Sequence, residues 1–183
     1  MRLFIAVPLP PDLCARAAAL LPATPGLTLV RPDLMHVTLA FLGPTPDLGL
    51  AAAVAANAAA AVGRTPFDLS FDRAGRFPAS GRPRVVWLGA GSGALELTER
   101  AGAVARALRE RGLPFDDRPF TPHLTVARVR ERVGPDDARA VASAVDRLEV
   151  PALRARVDRI AVIESVLRSK GPRYRERSSA VLG

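Results

Sequence analysis

The stretches His36-Val37-Thr38-Leu39 and His123-Leu124-Thr125-Val126 repeat one short pattern and contain the only two histidines of the chain. In a β-strand, successive side chains point to opposite faces, so a histidine and the threonine two positions later project together. The apolar residues of each stretch then point to the other face. Each stretch therefore predicts a strand with one polar face that can carry chemistry and one face in the core.

The two halves of the chain share an order of predicted elements around these stretches. In each half, a strand and a helix precede the strand that carries His-x-Thr, and the two histidines are 87 positions apart. This order predicts a single domain, residues 1–183, built of two similar lobes. Because the predicted strands outnumber the helices and several pairs are typical of hairpins, we expect an α+β fold. In this fold, two pseudo-symmetric antiparallel or mixed β-sheets face each other across a central cleft, with the helices on the outside.

Hydrophobic periodicity and turn residues predict the individual elements. The strands are expected at 3–7, 27–30, 35–42, 67–71, 85–88, 123–129, 157–167 and 174–182. The helices are expected at 13–21, from Asp47 to Gly63, from about 94 to 111 and from 135 to about 148. Residues 73–84 hold four arginines and no acidic residue, broken by glycine and proline, and are predicted to form a basic loop.

The composition favours a globular protein with a phosphate-bearing partner. A chain of 183 residues, 49% of them hydrophobic, can bury a core of its own. The formal charge of +8 comes from 25 arginines and one lysine against 18 acidic residues. Arginine recognises phosphate through planar, bidentate hydrogen bonds. Genome base content also produces chains rich in alanine, arginine and proline, so both origins of this bias stay open.

Compartment is indicated by the cysteine count and by the N-terminal sequence. The single cysteine, Cys14, has no partner for an internal disulfide, which favours a reducing cytoplasm. Prolines and an aspartate between residues 8 and 12 interrupt the first apolar run, so no signal peptide is predicted. No apolar run reaches the roughly 18 residues that a membrane-spanning helix needs. We expect a cytoplasmic protein, a monomer, that is not bound to membranes.

Two histidines on facing lobes suit acid–base catalysis at phosphorus. Because the unperturbed pKa of histidine is about 6.5, one ring can accept a proton while the other donates one. In-line displacement needs this on opposite sides, where the attacking oxygen loses a proton and the leaving oxygen gains one. The threonine hydroxyls can donate hydrogen bonds to the non-bridging phosphate oxygens. No metal ion or other cofactor is expected for this chemistry.

Other uses of the two histidines have less support from the sequence. A lone histidine on a strand is usually structural, whereas a matched pair with threonine at the same spacing indicates a site. A metal site would need further ligands, and no local cluster of cysteine, aspartate or glutamate has the required spacing, although distant carboxylates remain open. A serine hydrolase is poorly supported, since no Gly-x-Ser-x-Gly occurs.

Five short stretches occur in order along nearly the whole chain and together carry a resemblance. They are Leu3-Phe4-Ile5-Ala6, the run from His36 to Gly43, Val86-Trp87-Leu88-Gly89, the run from Pro122 to Arg128, and Glu164-Ser165-x-Leu167. The chain resembles the bacterial RNA 2′,3′-cyclic phosphodiesterase family, whose older name is 2′-5′ RNA ligase, within the two-histidine phosphoesterase superfamily. The resemblance implies a bilobal fold, no metal requirement and hydrolysis of a terminal 2′,3′-cyclic phosphate to a 2′-phosphate. It also implies weak, reversible 2′-5′ joining in some members.

The resemblance implies a role for five residues. By position, His36 is the proton donor to the leaving 3′ oxygen and His123 is the proton acceptor that activates water. The pseudo-symmetry of the two stretches leaves the exchange of these roles open. Thr38, Thr125 and Arg128 are implied to bind the substrate phosphate.

The sequence alone does not place Arg128 in this site. Strict alternation from His123 puts Thr125 on the site face but Arg128 on the opposite face, so Arg128 reaches the phosphate only through a bulge or at the end of the strand. Phe41 occupies the equivalent place after the first histidine. An aromatic ring there can stack on a base, but within an apolar run we expect it in the core.

The expected partners are RNA ends that carry a 2′,3′-cyclic phosphate, tRNA fragments among them, or cyclic nucleotides. The basic loop 73–84 and the basic end of the chain are candidates to hold RNA, with a solvated arginine surface as the alternative. The residues of that end are Arg168, Lys170, Arg173, Tyr174 and Arg175. Because no standard RNA-binding motif is present, we expect mostly electrostatic recognition of RNA.

Two further functions are retained as alternatives to hydrolysis. One is a reversible 2′-5′ RNA ligase; we expect hydrolysis to dominate because water is abundant and no adenylation-lysine motif is present. The other is a non-catalytic RNA-end binding protein, which would keep its affinity for RNA after either histidine is replaced by alanine.

Overall fold

Nine strands and four helices follow one another in the computed structural model, which describes residues 2–44, 49–63, 65–169 and 171–183. The strands are β1 (Arg2–Pro8), β2 (Leu27–Leu29), β3 (His36–Pro44), β4 (Phe67–Phe77), β5 (Val85–Ala90), β6 (His123–Val129), β7 (Leu153–Val157), β8 (Arg159–Arg168) and β9 (Gly171–Val181). The helices are α1 (Pro11–Ala19), α2 (Gly49–Ala61), α3 (Ala94–Glu110) and α4 (Pro135–Asp146), with a 3₁₀ turn at Pro32–Leu34.

The strands form two sheets, and every pairing within them is antiparallel. One sheet has four strands in the order β3-β1-β8-β9, and the other has five in the order β2-β6-β5-β4-β7. The expected α+β architecture with two sheets is confirmed. Each histidine begins its strand, His36 in β3 and His123 in β6, and these two strands contact each other across the sheets.

One hydrophobic core joins the buried faces of both sheets to the helices. Helix α2 packs against α3 and against strands β8 and β9. Where the structure describes the burial of its side chains, the buried residues of this helix are alanines, Ala52, Ala55, Ala56, Ala59 and Ala60, which allow a close approach to the sheet. The expectation that this helix lies against a sheet is confirmed, while its predicted start at Asp47 lies outside the described residues.

A second, smaller cluster lies on the opposite face of the four-stranded sheet. It consists of Phe4, Ala6, Ala161 and Ile163, with Tyr174 packed against it. Phe4 is only 3% exposed although it points away from the main core. Phe4 and Tyr174 therefore form an aromatic surface on the face of the sheet that carries His36.

Two predictions about β4 and β7 are wrong. Residues 73–77, predicted as part of a basic loop, continue β4 and pair with β5. Gly75 is required there, because a Cβ atom at this position would lie 2.2 Å from the ring of Trp87. Residues 153–157 form β7, which was not predicted, and the strand predicted at 157–167 begins instead at Arg159. In both cases pairing with a neighbouring strand outweighs weak local propensity.

No helix in the described ranges is long and apolar enough to cross a membrane.

Candidate active site

The ring of His36 is held by one hydrogen bond and two aromatic contacts. Its Nδ1 lies 2.8 Å from the carbonyl oxygen of Leu34, two residues earlier in the 3₁₀ turn. The ring stacks on Phe4, with centroids 4.7 Å apart, and meets the edge of Tyr174 at 5.5 Å. These contacts fix the orientation of the imidazole before any ligand binds.

His123 is held in a closely similar way on the five-stranded sheet. Its Nδ1 lies 2.6 Å from the carbonyl oxygen of Thr121, again two residues earlier. The ring meets Phe77 edge-on at 5.2 Å and Trp87 at 6.2 Å. The repeat seen in the sequence is thus also a repeat of local geometry.

In both rings, the hydrogen bond decides which nitrogen is available for chemistry. A carbonyl oxygen only accepts, so Nδ1 carries the proton and donates it, and Nε2 is the lone-pair nitrogen of the neutral ring. Burial lowers the pKa of His36 to about 4, with the hydrogen bond to Leu34 opposing and the charges of His123 and Arg128 adding to the shift. Burial also lowers the pKa of His123, against its hydrogen bond to Thr121. Both rings are therefore neutral near pH 7 in the free protein.

A bulge in β6 resolves the position of Arg128. Trp87 pairs with Thr125 and Val86 pairs with Ala127, so Val126 is an extra residue in β6. Its carbonyl oxygen accepts a hydrogen bond of 2.9 Å from the N–H of Val30. The extra residue reverses the alternation, so Arg128 is exposed on the same face as Thr125.

The positive charge of Arg128 reaches across to the four-stranded sheet. It contributes to the lowering of the pKa of His36 and opposes the rise that burial causes in the pKa of Tyr174. Arg128 of the five-stranded sheet therefore lies close enough to His36 of the four-stranded sheet for its charge to act on that ring.

The threonines predicted with the histidines are both half-buried, Thr38 on β3 and Thr125 on β6. Each lies two positions after its histidine on strands with regular alternation up to that point. In the part of the chain that the structure describes, neither hydroxyl has a hydrogen-bond partner, so both remain able to donate to a ligand.

Phe41 does not lie in the core, contrary to the expectation from its apolar run. Its side chain is 49% exposed. Thr38 pairs with Ala6 and Ala40 pairs with Ile5, so Leu39 is an extra residue in β3, at the position that matches Val126 in β6. This bulge turns Phe41 to the face of His36, where its ring lies 5.8 Å from that of Phe4.

Sequence reasoning missed the aromatic residues around the two histidines. Phe4 and Trp87 were predicted only as members of apolar strands, and Phe77 as part of a loop. Alternation along β1 separates Phe4 from Leu3 and Ile5, but only the pairing of the strands shows that its face carries His36.

A cavity of about 470 Å³ opens beside His36. Its lining includes Pro8, Leu9, Asp33, Ile163, Tyr174 and Glu176. Among the side chains of the described ranges, no three from histidine, cysteine, aspartate and glutamate come together as a set of metal ligands.

Comparison with known proteins agrees with this architecture. A family model described as the 2′-5′ RNA ligase superfamily matches residues 9–167. The chain is 33% identical to an RNA 2′,3′-cyclic phosphodiesterase of Archaeoglobus fulgidus, over 96% of this chain and 97% of that one. It is 38% identical to an RNA 2′,3′-cyclic phosphodiesterase of Thermus thermophilus, over 95% of this chain and 86% of that one.

Solved structures extend the likeness to the fold. The crystal structure of TT0787 of Thermus thermophilus matches with a TM-score of 0.77 and 28% identity, over 100% of this chain and 98% of that one. The structure of Escherichia coli LigT complexed with 3′-AMP matches with a TM-score of 0.72 and 26% identity, over 99% of this chain and 97% of that one. With a family model that spans most of its length and relatives of this identity, the chain belongs to the 2′-5′ RNA ligase superfamily.

Proposed function

We propose that this protein hydrolyses terminal 2′,3′-cyclic phosphates of RNA or nucleotides to 2′-phosphomonoesters, with no metal ion, by two-histidine general acid–base catalysis. The chain is a hydrolase, like its relatives, which are named RNA 2′,3′-cyclic phosphodiesterases. One observation carries the mechanism: His36 and His123, on contacting strands of different sheets, are held by the same Nδ1 hydrogen bond to a carbonyl two residues earlier.

In the proposed reaction, Nε2 of His123 accepts a proton from water as the water oxygen attacks phosphorus. His36 donates a proton from Nε2 to the 3′ oxygen as the bond between phosphorus and that oxygen breaks. The product keeps its phosphate on the 2′ oxygen. The proton taken from water and the proton given to the leaving oxygen balance, and water supplies the new oxygen atom.

His36 must gain a proton before it can act as the donor. In the free protein its pKa is about 4, so the ring is neutral near pH 7. A bound cyclic phosphate brings a negative charge beside the buried ring, and a nearby opposite charge favours the imidazolium form. Substrate binding therefore raises the pKa of His36 and favours its protonation.

Thr38, Thr125 and Arg128 hold the phosphate in this proposal. The two hydroxyls donate to the non-bridging oxygens, and the guanidinium offsets the charge that builds up on them in the transition state. Phe41, exposed one bulge beyond Thr38, offers the face of its ring to the base of the terminal nucleotide. The phosphate and the base would then both contact the cleft side of β3.

In this proposal, the chain is a single domain, residues 1–183, in which each sheet supplies one histidine. The protein acts as a monomer in the cytoplasm. The only cysteine, Cys14, is buried, and burial raises the pKa of its thiol to about 11, so the thiol stays protonated and unreactive at neutral pH.

Turnover of 2′,3′-cyclic AMP by the purified protein tests the proposed function. The reaction is run with and without excess EDTA, and the product is identified by phosphorus NMR. We expect equal rates in both and 2′-AMP as the product. A protein that binds the nucleotide without turnover, that forms 3′-AMP, or that loses its rate in EDTA contradicts the proposal.

A further inference from the structure

Four arginines gather where β6 leaves the candidate active site: Arg82, Arg128, Arg130 and Arg132, here called the arginine ridge. The N–H of Arg130 donates to the carbonyl oxygen of Gly26 at 2.9 Å, which continues the pairing of β2 with β6 beyond Val129. Because the pairing continues, alternation holds, and Arg130 lies on the same face as Arg128.

Arg82 links the loop after β4 to the segment that follows β6 by hydrogen bonds. Its Nη2 donates to the carbonyl oxygens of Glu131 and Val133, at 2.5 and 2.6 Å. The two basic segments, one before β5 and one after β6, thus form one surface although Arg82 and Glu131 are 49 positions apart in the chain.

The charges of the arginine ridge are not neutralised by carboxylates. No residue of the ridge forms an ion pair within the described part of the chain, and all four are exposed. Glu131 is the one acidic residue between 128 and 133. Of the three other arginines of the predicted basic loop, Arg73 is paired with Asp72 and Arg76 with Asp146. Arg84, the third, forms no ion pair within the described residues.

On the second basic surface, the end of the chain, two arginines do not face the cleft. On β9, Tyr174 packs against Phe4 on the cleft face, so Arg173 and Arg175 point to the opposite face. Glu176, which lines the cavity beside His36, places a carboxylate near this part of the cleft. Lys170 lies outside the described residues.

We infer that the arginine ridge binds the sugar–phosphate backbone of the RNA strand on the 5′ side of the cyclic phosphate. This inference rests on the proposed function. A cyclic phosphate closes the 3′ end, so the rest of an RNA substrate leaves the site only through the 5′ oxygen of its last nucleotide. With Arg128 at the reacting phosphate, Arg130 and Arg132 are the unpaired cations next along the chain. The preferred substrate is therefore an RNA chain of several nucleotides, with cyclic mononucleotides as its minimal form.

The test compares two substrates, 2′,3′-cyclic AMP and a six-nucleotide RNA that ends in a 2′,3′-cyclic phosphate. For the wild type, we expect kcat/KM to be at least about tenfold higher for the RNA at low salt, and this advantage to shrink as salt rises. The Arg130→Ala/Arg132→Ala variant should lose most of the advantage and turn over 2′,3′-cyclic AMP at the wild-type rate. Its slope of log kcat/KM against log salt should be less steep by about 0.7 for each arginine removed.

A matched control is available on β9. The Arg173→Ala/Arg175→Ala variant removes the same charge from two exposed, unpaired arginines of the described chain, and it should leave turnover of the RNA unchanged. The inference is overturned if the wild type does not prefer the RNA, if the ridge variant loses both substrates equally, or if the β9 variant loses as much. If neither substrate is turned over, the proposed function has failed, and fluorescence anisotropy with the same RNA and variants still decides whether the ridge binds RNA.

Discussion

Phe41 and Arg128 occupy matching positions, each five residues after its histidine and two after a bulge that follows the threonine. One position presents an aromatic ring and the other a guanidinium to the face that carries the histidine. The two sheets therefore repeat the acid–base geometry but differ in what they offer to a substrate. In the proposed function, Phe41 of β3 contacts the base and Arg128 of β6 stabilises the charge on the phosphate.

Arg128 is expected to act mainly on the chemical step. Because its charge would oppose the negative charge that builds on the phosphate oxygens, Arg128→Ala should lower kcat by about 10²- to 10³-fold with a smaller change in KM. Arg128→Lys should recover part of the rate, since lysine restores the charge without the planar pair of donors. Steady-state kinetics with 2′,3′-cyclic AMP measure both values. A change in KM alone would show that Arg128 only helps to bind the substrate.

Phe41 is expected to act mainly on binding. Stacking of a base on an aromatic ring contributes about 1–3 kcal/mol, so Phe41→Ala should raise KM for 2′,3′-cyclic AMP about 5- to 150-fold and leave kcat nearly unchanged. Phe41→Tyr keeps the ring and serves as the control. Since the side chain is 49% exposed, neither change should lower the thermal midpoint much. An unchanged KM in the alanine variant would place the base elsewhere.

The threonines are expected to act through their hydroxyls. Replacement by valine keeps the shape of the side chain but removes a donor to a charged oxygen, which costs about 1.5–3 kcal/mol. Thr38→Val and Thr125→Val should therefore each lower kcat/KM by about 10- to 150-fold. The matched serine variants keep the hydroxyl and should stay close to the wild type. A loss in the serine variants without a loss in the valine variants would indicate that the methyl group and packing, not the hydroxyl, are what matter.

Stability should depend on pH through His36. The unfolded chain protonates this ring at its ordinary pKa, whereas the folded protein does so only near pH 4. The unfolded state therefore binds more protons in this window, and the free energy of unfolding falls as pH is lowered from about 6.5 to 4. Between pH 7 and 5, His36 should account for a loss of about 2 kcal/mol.

Urea unfolding at pH 7 and pH 5 measures this loss, with His36→Gln as the variant that cannot titrate. The glutamine variant should lose correspondingly less stability over the same interval. An equal loss in both proteins would show that the folded protein does not disfavour protonation of His36.

Alternation within short segments predicted the strands of the site, because His36, Thr38 and their apolar neighbours obey it up to the bulge. The apolar run around Phe41 predicted this residue in the core, and alternation placed Arg128 in the site only on condition of a bulge or a strand end. A bulge depends on the register with the neighbouring strand, which shifts beside Ile5 for β3 and beside Val86 for β6. The sequences of β3 and β6 alone do not predict it.

The aromatic residues that contact the histidines could not be predicted either, because these contacts depend on the order of the strands in the sheets. Phe4 contacts His36 from β1, and Phe77 and Trp87 contact His123 from β4 and β5. These contacts come from strands distant in sequence, so only the order of the sheets brings them together. The prediction of a basic loop was wrong for residues 73–77, because Gly75 disfavours a strand locally while pairing with β5 stabilises one.

The central claim is that His36 and His123 act together as acid and base without a metal ion. The most direct measurement is kcat/KM for 2′,3′-cyclic AMP in excess EDTA, for the wild type, His36→Ala and His123→Ala, with folding of each protein checked by circular dichroism. We expect each variant to lose at least about 10²-fold, because general acid or base catalysis contributes this much. A folded variant of either histidine that keeps the wild-type rate would contradict the account.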